Sequence, residues 1–270
     1  MSLKVFSQAP YYDDYDEANK YLRVLFRPGV SLQVRELNQL QTYLQTQIER
    51  FGMHMFKDGA MVIPGQSSVD TEIVYLKVES DTNGIDIGTI LSDLIGSTIV
   101  GATTGVKAQV IKAEAQTDSD PITLYVRYIS SGTTSTVKTF NAAEILNTST
   151  GTTVSGDDHT VQIKVGSTSL GKASIASIER GIYFVKGQFV QVDTSTIILD
   201  KYTNTPSYRI GLTIAENIVT ANSDGTLNDN ANGTPNENAP GAHRYQILLT
   251  FDKIAIDATT DTNFIELIRV

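Results

Sequence analysis

Residues able to do chemistry are sparse in this 270-residue chain, and their spacing does not suit them to it. The three histidines, His54, His159 and His243, lie far apart, and none has the short spacing that lets two imidazoles share a metal. His54 falls near the end of a helical pattern, where a structural or interface role is expected of it. There is no Gly-x-Ser-x-Gly elbow, no phosphate-cradling glycine loop ending in Lys-Ser or Lys-Thr, and no dinucleotide fingerprint. The carboxylate pairs Asp13/Asp14 and Asp157/Asp158 are sequence neighbours in loops, so their side chains diverge, whereas an acid–base pair must face across a cleft. Asn228-Asp229-Asn230-Ala231-Asn232-Gly233 imitates the first half of a calcium loop. It begins on Asn, however, and places Ala239 where a bidentate glutamate is needed, so Asx turns are expected instead. The absence of cysteine excludes disulfides, thiolate metal sites and cysteine nucleophiles. The expectation is a protein that is not an enzyme, with no catalytic residue, no metal site and no cofactor.

Composition narrows the partners. Apolar residues make up 40% and charged residues 19%, and the net charge is −9. Thr, Ser, Asn and Gln take the place of the missing charge, keeping the surface wettable through neutral hydrogen-bonding groups. An acidic chain with no basic run is not expected to bind nucleic acid or dock on anionic membranes, both of which call for a cationic face. No run approaches the ~18 apolar residues of a membrane helix. The opening Met-Ser-Leu-Lys-Val-Phe lacks the apolar stretch of a signal peptide, so assembly in a cytoplasm is expected.

The elements that position what chemistry remains begin with an arm. Tyr11, Tyr12, Asp13, Asp14 and Tyr15 interleave rings with carboxylates, and each ring offers a large apolar body with a polar tip. Such an arm lies either on its own subunit or on a neighbour. A short strand is expected over 22–26, a turn at Arg27-Pro28-Gly29, and then a helix from 31 or 32 to 55, with Ser31 as N-cap and Gly52 as a weak point. Its apolar stripe, Leu37, Leu40, Leu44, Ile48, Phe51 and Met55, advances by threes and fours with a mean of 3.6. From Leu37 to Ile48 no residue is charged. Asn38, Gln39, Gln41, Gln45 and Gln47 stand where a solvated helix would carry Glu and Lys. Amides cost less to desolvate than charges, so this face is expected to be covered by protein, another subunit being the candidate; a merely polar, exposed helix is the alternative.

Beyond the helix, runs rich in Val, Ile, Tyr and Thr at 60–64, 71–79, 107–113, 122–129, 161–165, 182–192, 196–199, 208–214 and 245–251 read as strands. A hairpin bend is expected at Lys186-Gly187. The fold class is α+β and mainly β: one long N-terminal amphipathic helix followed by antiparallel sheets. Residues 1–80 plus 161–270 are expected to form an anchoring domain, with 81–160 inserted as a small β-barrel-like module. Residues 221–242 read as a long loop.

Three stretches carry a resemblance. The first runs from Tyr11-Tyr12-Asp13 through Arg23-Val24-Leu25-Phe26-Arg27-Pro28-Gly29 into the helix as far as Arg50-Phe51-Gly52. The second joins Gly181-Ile182-Tyr183-Phe184-Val185-Lys186-Gly187-Gln188-Phe189-Val190 to Asp200 through Gly211. The third is Asn236-Glu237-Asn238-Ala239-Pro240-Gly241-Ala242-His243-Arg244. Together they resemble the uncharacterised N-terminal domain of virion structural proteins of contractile-tailed phages, notably cyanophages. The resemblance implies a virion protein of the tail, anchoring or connecting fibres to the baseplate, whose partners are baseplate and tail-fibre proteins and copies of itself. Trimers follow from the resemblance, fibres being commonly threefold, and not from periodicity. A glycan-recognising fibre module is the alternative. Relatives of this kind are often longer, and the apolar ending at Val270 is compatible with a trimmed chain, a fragment or a strand completed by a partner. The expected interface residues are Tyr11, Tyr12, Tyr15, Leu37, Leu40, Gln41, Leu44, Gln45, Ile48 and Phe51. Replacing Gln41 and Gln45 together by glutamate is expected to weaken assembly; unchanged assembly by light scattering would remove the covered-amide idea.

Overall fold

The computed structural model describes residues 6–231, 233–258 and 261–270. Residues 1–5, which hold most of the opening segment, and Asn232 of the asparagine-rich loop lie outside them. The protein is mainly β, its sheets are antiparallel, and the 22-residue helix Val34–Met55 is its dominant helical element. Among the described residues no helix is long and apolar enough to cross a membrane.

The helix starts later than Ser31, because Glu36 reaches back to accept the backbone N–H of Gln33 at 2.9 Å and so sets the first turn there. Residues 22–26, expected as a strand, form none: no other described segment offers them a ladder of hydrogen bonds. The expected hairpin does form. Gly181–Val185 pairs with Gln188–Val192 across Lys186-Gly187, both at positive φ, the conformation a two-residue turn between twisted strands demands. This hairpin and Ala60–Ile63 make one three-stranded sheet, and Ser67–Asp70, Ser174–Ile178 and Ser195–Asp200 make a second. The third joins Tyr208–Val219 to Arg244–Ala255 and Phe264–Arg269, so the apolar C-terminal segment is paired within its own chain.

A seven-stranded sheet holds the other half of the core, in the order Thr160–Gln162, Ile145–Thr148, Thr98–Gly101, Lys107–Glu114, Thr123–Ser130, Val74–Lys77, Leu170–Lys172. Alternation is clean where one face is wet: Ala108 and Val110 are buried between exposed Lys107 and Gln109. The sheet therefore draws strands from outside 81–160. It curls until Val78 bridges Ile163, but that single bridge does not make a closed barrel among the described residues, where a barrel-like module was expected. Asp93 clamps the loop beyond Ile145–Thr148, accepting from Ser155 N–H at 2.5 Å and its hydroxyl at 2.6 Å and pairing with His159. The described residues of 221–242, where a long loop was expected, cap the long hairpin Tyr208–Val219/Arg244–Ala255 and contain a small ribbon of Asn228–Asp229 against Asn236–Pro240.

Gly52 is a contact rather than a weak point. A Cβ there would meet the Phe184 ring at 2.4 Å, and Phe184 is fully buried. Gly52→Ala is expected to destabilise the protein: overpacking costs about 1–3 kcal/mol, against a helix-propensity gain of up to about 1 kcal/mol. A urea melt with a midpoint at or above that of the parent would contradict this packing.

Candidate functional site

The helix packs on its own chain by the side that its hydrophobic pattern would leave to water. Thr42, Tyr43, Thr46, Glu49 and Gly52 are buried, whereas Leu44, Phe51 and Met55 are 60%, 66% and 61% exposed and Leu37 and Ile48 are also outside. Of the stripe only Leu40 is half covered. The buried hydroxyls are satisfied locally: Thr46 donates to the Thr42 carbonyl at 2.7 Å and Thr42 to the Asn38 carbonyl at 3.2 Å.

What covers this polar side is the tyrosine arm. Thr42 also donates to Asp13 Oδ2 at 2.5 Å, Asn38 Nδ2 donates to the Tyr11 carbonyl at 3.1 Å, and the Tyr15 and Tyr43 rings meet edge to face at 5.3 Å. Arg50 pairs with Glu17 at the far end. The arm is held from the other side by the tip of the long hairpin. The Tyr11 hydroxyl and His243 Nδ1 are 2.7 Å apart, and Phe6 sits edge-on to both Tyr11 and Tyr245. Tyr245 in turn donates to Glu216 at 2.6 Å, and Lys186 of the short hairpin's turn pairs with the same carboxylate. Burial raises the Tyr245 phenol's pKa, with the Glu216 bond adding to the shift.

Between helix, arm and hairpins lies a groove of about 880 Å³. Gln41 and Gln45 line it from the helix, Tyr11 and Asp13 from the arm, and Gln188–Gln191 and Arg244–Leu248 from two strands. Asp13 is only 3% exposed, and its Oδ1 is buried without a hydrogen-bond partner. Burial pushes its carboxyl above the ordinary value; the Thr42 hydroxyl opposes the shift and Asp14 adds to it.

The expected interface residues therefore divide. Tyr11 and Tyr15 lie on the arm's own chain and Tyr12 faces water; Gln41 is exposed and Gln45 half-buried in the groove; the apolar stripe points outward and away from its own core. His243, Asp13, Thr42 and Tyr43 were missed. Asp13 and Asp14 do diverge, one buried and one exposed, and it is the divergence that gives Asp13 its role. The signal for His243 was its place in the third resembling stretch, since all three stretches converge here.

Fold and site define the class: an antiparallel β protein carrying an amphipathic helix whose apolar face, Leu40 apart, is left uncovered by the described residues. Within it, the chain belongs to the family described as a domain of unknown function (DUF4815), whose model matches residues 9–117 and 133–268. No curated protein and no solved structure matches the chain.

Because the folded-state pKa of Asp13 is raised, the folded arm binds this proton more tightly than the unfolded chain does. Arm docking is then firmest below the unfolded value of 3.8 and weakens as pH rises through the raised value. Protection factors of the arm amides are expected to fall with rising pH over that window. In Asp13→Asn the dependence should vanish; a pH-independent arm in the parent would contradict the assignment.

Proposed function

We propose that this protein is a non-enzymatic structural component of a phage tail that connects fibres to the baseplate by forming protein–protein interfaces, first of all with copies of itself. The observation that carries the reading is the outward stripe of Leu37, Leu44, Ile48, Phe51 and Met55. A helix whose apolar side faces water is left short of the burial that normally stabilises it, and covering each such side chain contributes on the order of 1–2 kcal/mol. Tyr21, Leu22, Leu25, Phe26, Val30 and Leu32, which lead into the helix, are exposed as well. Singly exposed apolar residues are ordinary; so many along one arm and one helix mark an interaction surface. The three stretches resembling virion proteins contribute Leu37, Ile48 and Phe51 to the stripe and Tyr11, Gln41, Gln188 and His243 to the groove, and this supports placement in a tail. On this reading the segment 81–160 is an insertion into the anchoring part of the chain, and the partners are baseplate and fibre proteins.

Mass measurement in solution tests the core of the proposal: the chain should be oligomeric at micromolar concentration. Leu44→Glu combined with Ile48→Glu should yield monomers, since an unpaired charge left in a dry contact costs about 3–5 kcal/mol, 100-fold or more in dissociation. The monomer's own melting should change little, because both side chains already touch water. A parent protein that stays monomeric and never joins tail particles would overturn the reading.

A further inference from the structure

Residues 22–26, Leu-Arg-Val-Leu-Phe, have the composition of a strand, yet they pair with no described segment, and Leu22, Leu25 and Phe26 are exposed. Elsewhere the chain offers a ladder with one side empty. Gln188–Val192 pairs with Gly181–Val185 on one edge and, among the described residues, with nothing on the other. That free edge faces the groove. Successive strand residues point to opposite faces, so four in a row can line one groove only when the strand presents its edge to it, and Gln188, Phe189, Val190 and Gln191 all do.

We propose that the open edge of Gln188–Val192 accepts residues 22–26 of a second copy as an added strand. Five residues meet a five-residue edge. Backbone hydrogen bonds would supply the affinity, as in other strand additions, and both unpaired elements would be satisfied at once. The amides of Gln41 and Gln45, across the groove, can each donate to and accept from the peptide groups of an entering strand. Charge favours a second copy as the donor. Between Glu17 and Glu36 the arm carries Lys20, Arg23, Arg27 and Arg35 and no acid, while the chain as a whole is −9. Among the described residues neither Arg23 nor Arg27 has an ion-pair partner in its own chain. The groove's own charged lining is mixed, the buried Asp13 with the exposed Arg244, so the attraction comes from the acidic acceptor chain as a whole. The proposal rests on the oligomeric reading above and specifies which segment passes between subunits.

The absence of cysteine makes a direct test available. Leu25→Cys and Gln191→Cys are made as separate full-length chains, mixed, and treated with a short bis-maleimide; Leu25→Cys with Ser135→Cys serves as control. All three positions are exposed, so none of the exchanges disturbs the core. The expected result is a product of two chain masses joining the first pair about 100-fold faster than the control pair, the gain that a shared site gives in effective concentration. An oligomer in which that pair reacts no faster than the control overturns the strand exchange and leaves the apolar-stripe reading standing. A monomer at all concentrations overturns both.

Discussion

Everything near the groove depends on one constraint: the long helix lies against its own chain through two hydroxyls, one tyrosine ring, a glutamate and a glycine, leaving most of its apolar stripe on the outside. Such packing calls for partners for the buried hydroxyls on that side, and of the arm's buried carboxylate only Asp13 Oδ1 is left without one. Thr46 turns to the carbonyl one turn back, Thr42 shares its one hydroxyl proton between Asp13 and the Asn38 carbonyl, and the Asn38 amide closes on the Tyr11 carbonyl. Close approach does the rest. Gly52 admits the Phe184 ring, and Gly187 leaves room for Glu49, where any larger residue would hold the helix off.

The two halves of the β structure differ in what they leave unfinished. The curled seven-stranded sheet encloses its own cluster of Leu76, Ile87, Leu94, Ile99, Leu124 and Ile163, all fully buried. The smaller sheets share a second cluster around Tyr183, Ile210, Leu212 and Phe251. Tyr75, Tyr125, Ile73 and Ile175 fill the space between them; burial, helped by Glu114, raises the Tyr125 phenol's pKa. Neither cluster takes in the helix's leucines. The deficit in burial is thus confined to the arm and helix, where a neighbour could cover it without disturbing either core.

Reading the residues in order recovered much of this architecture. The strand-rich character after the helix, the hairpin bend at Lys186-Gly187 and the helical span were legible because each depends on local chemistry: β-branched runs, a glycine able to take positive φ, and a 3.6-residue period. Residues 22–26 were misread as a strand for a related reason. Propensity describes what a segment can become, whereas a strand exists only when another supplies its hydrogen bonds. The short strands Thr98–Gly101, Ile145–Thr148 and Leu170–Lys172 went unread because their sequences, rich in Thr, Gly and Asn, look like the turns beside them.

Alone, the sequence determined that the protein is mainly β with one amphipathic helix, that its surface is neutral-polar and acidic overall, and that no familiar constellation for catalysis is written in it. Only the tertiary structure decided which side of the helix meets the chain, and that the arm, the short hairpin and the tip of the long hairpin enclose one groove. The reason is physical. A periodic pattern shows that a helix has two unlike faces but not which surface will cover either. The contact between Tyr11 and His243 joins residues 232 positions apart and leaves no local trace.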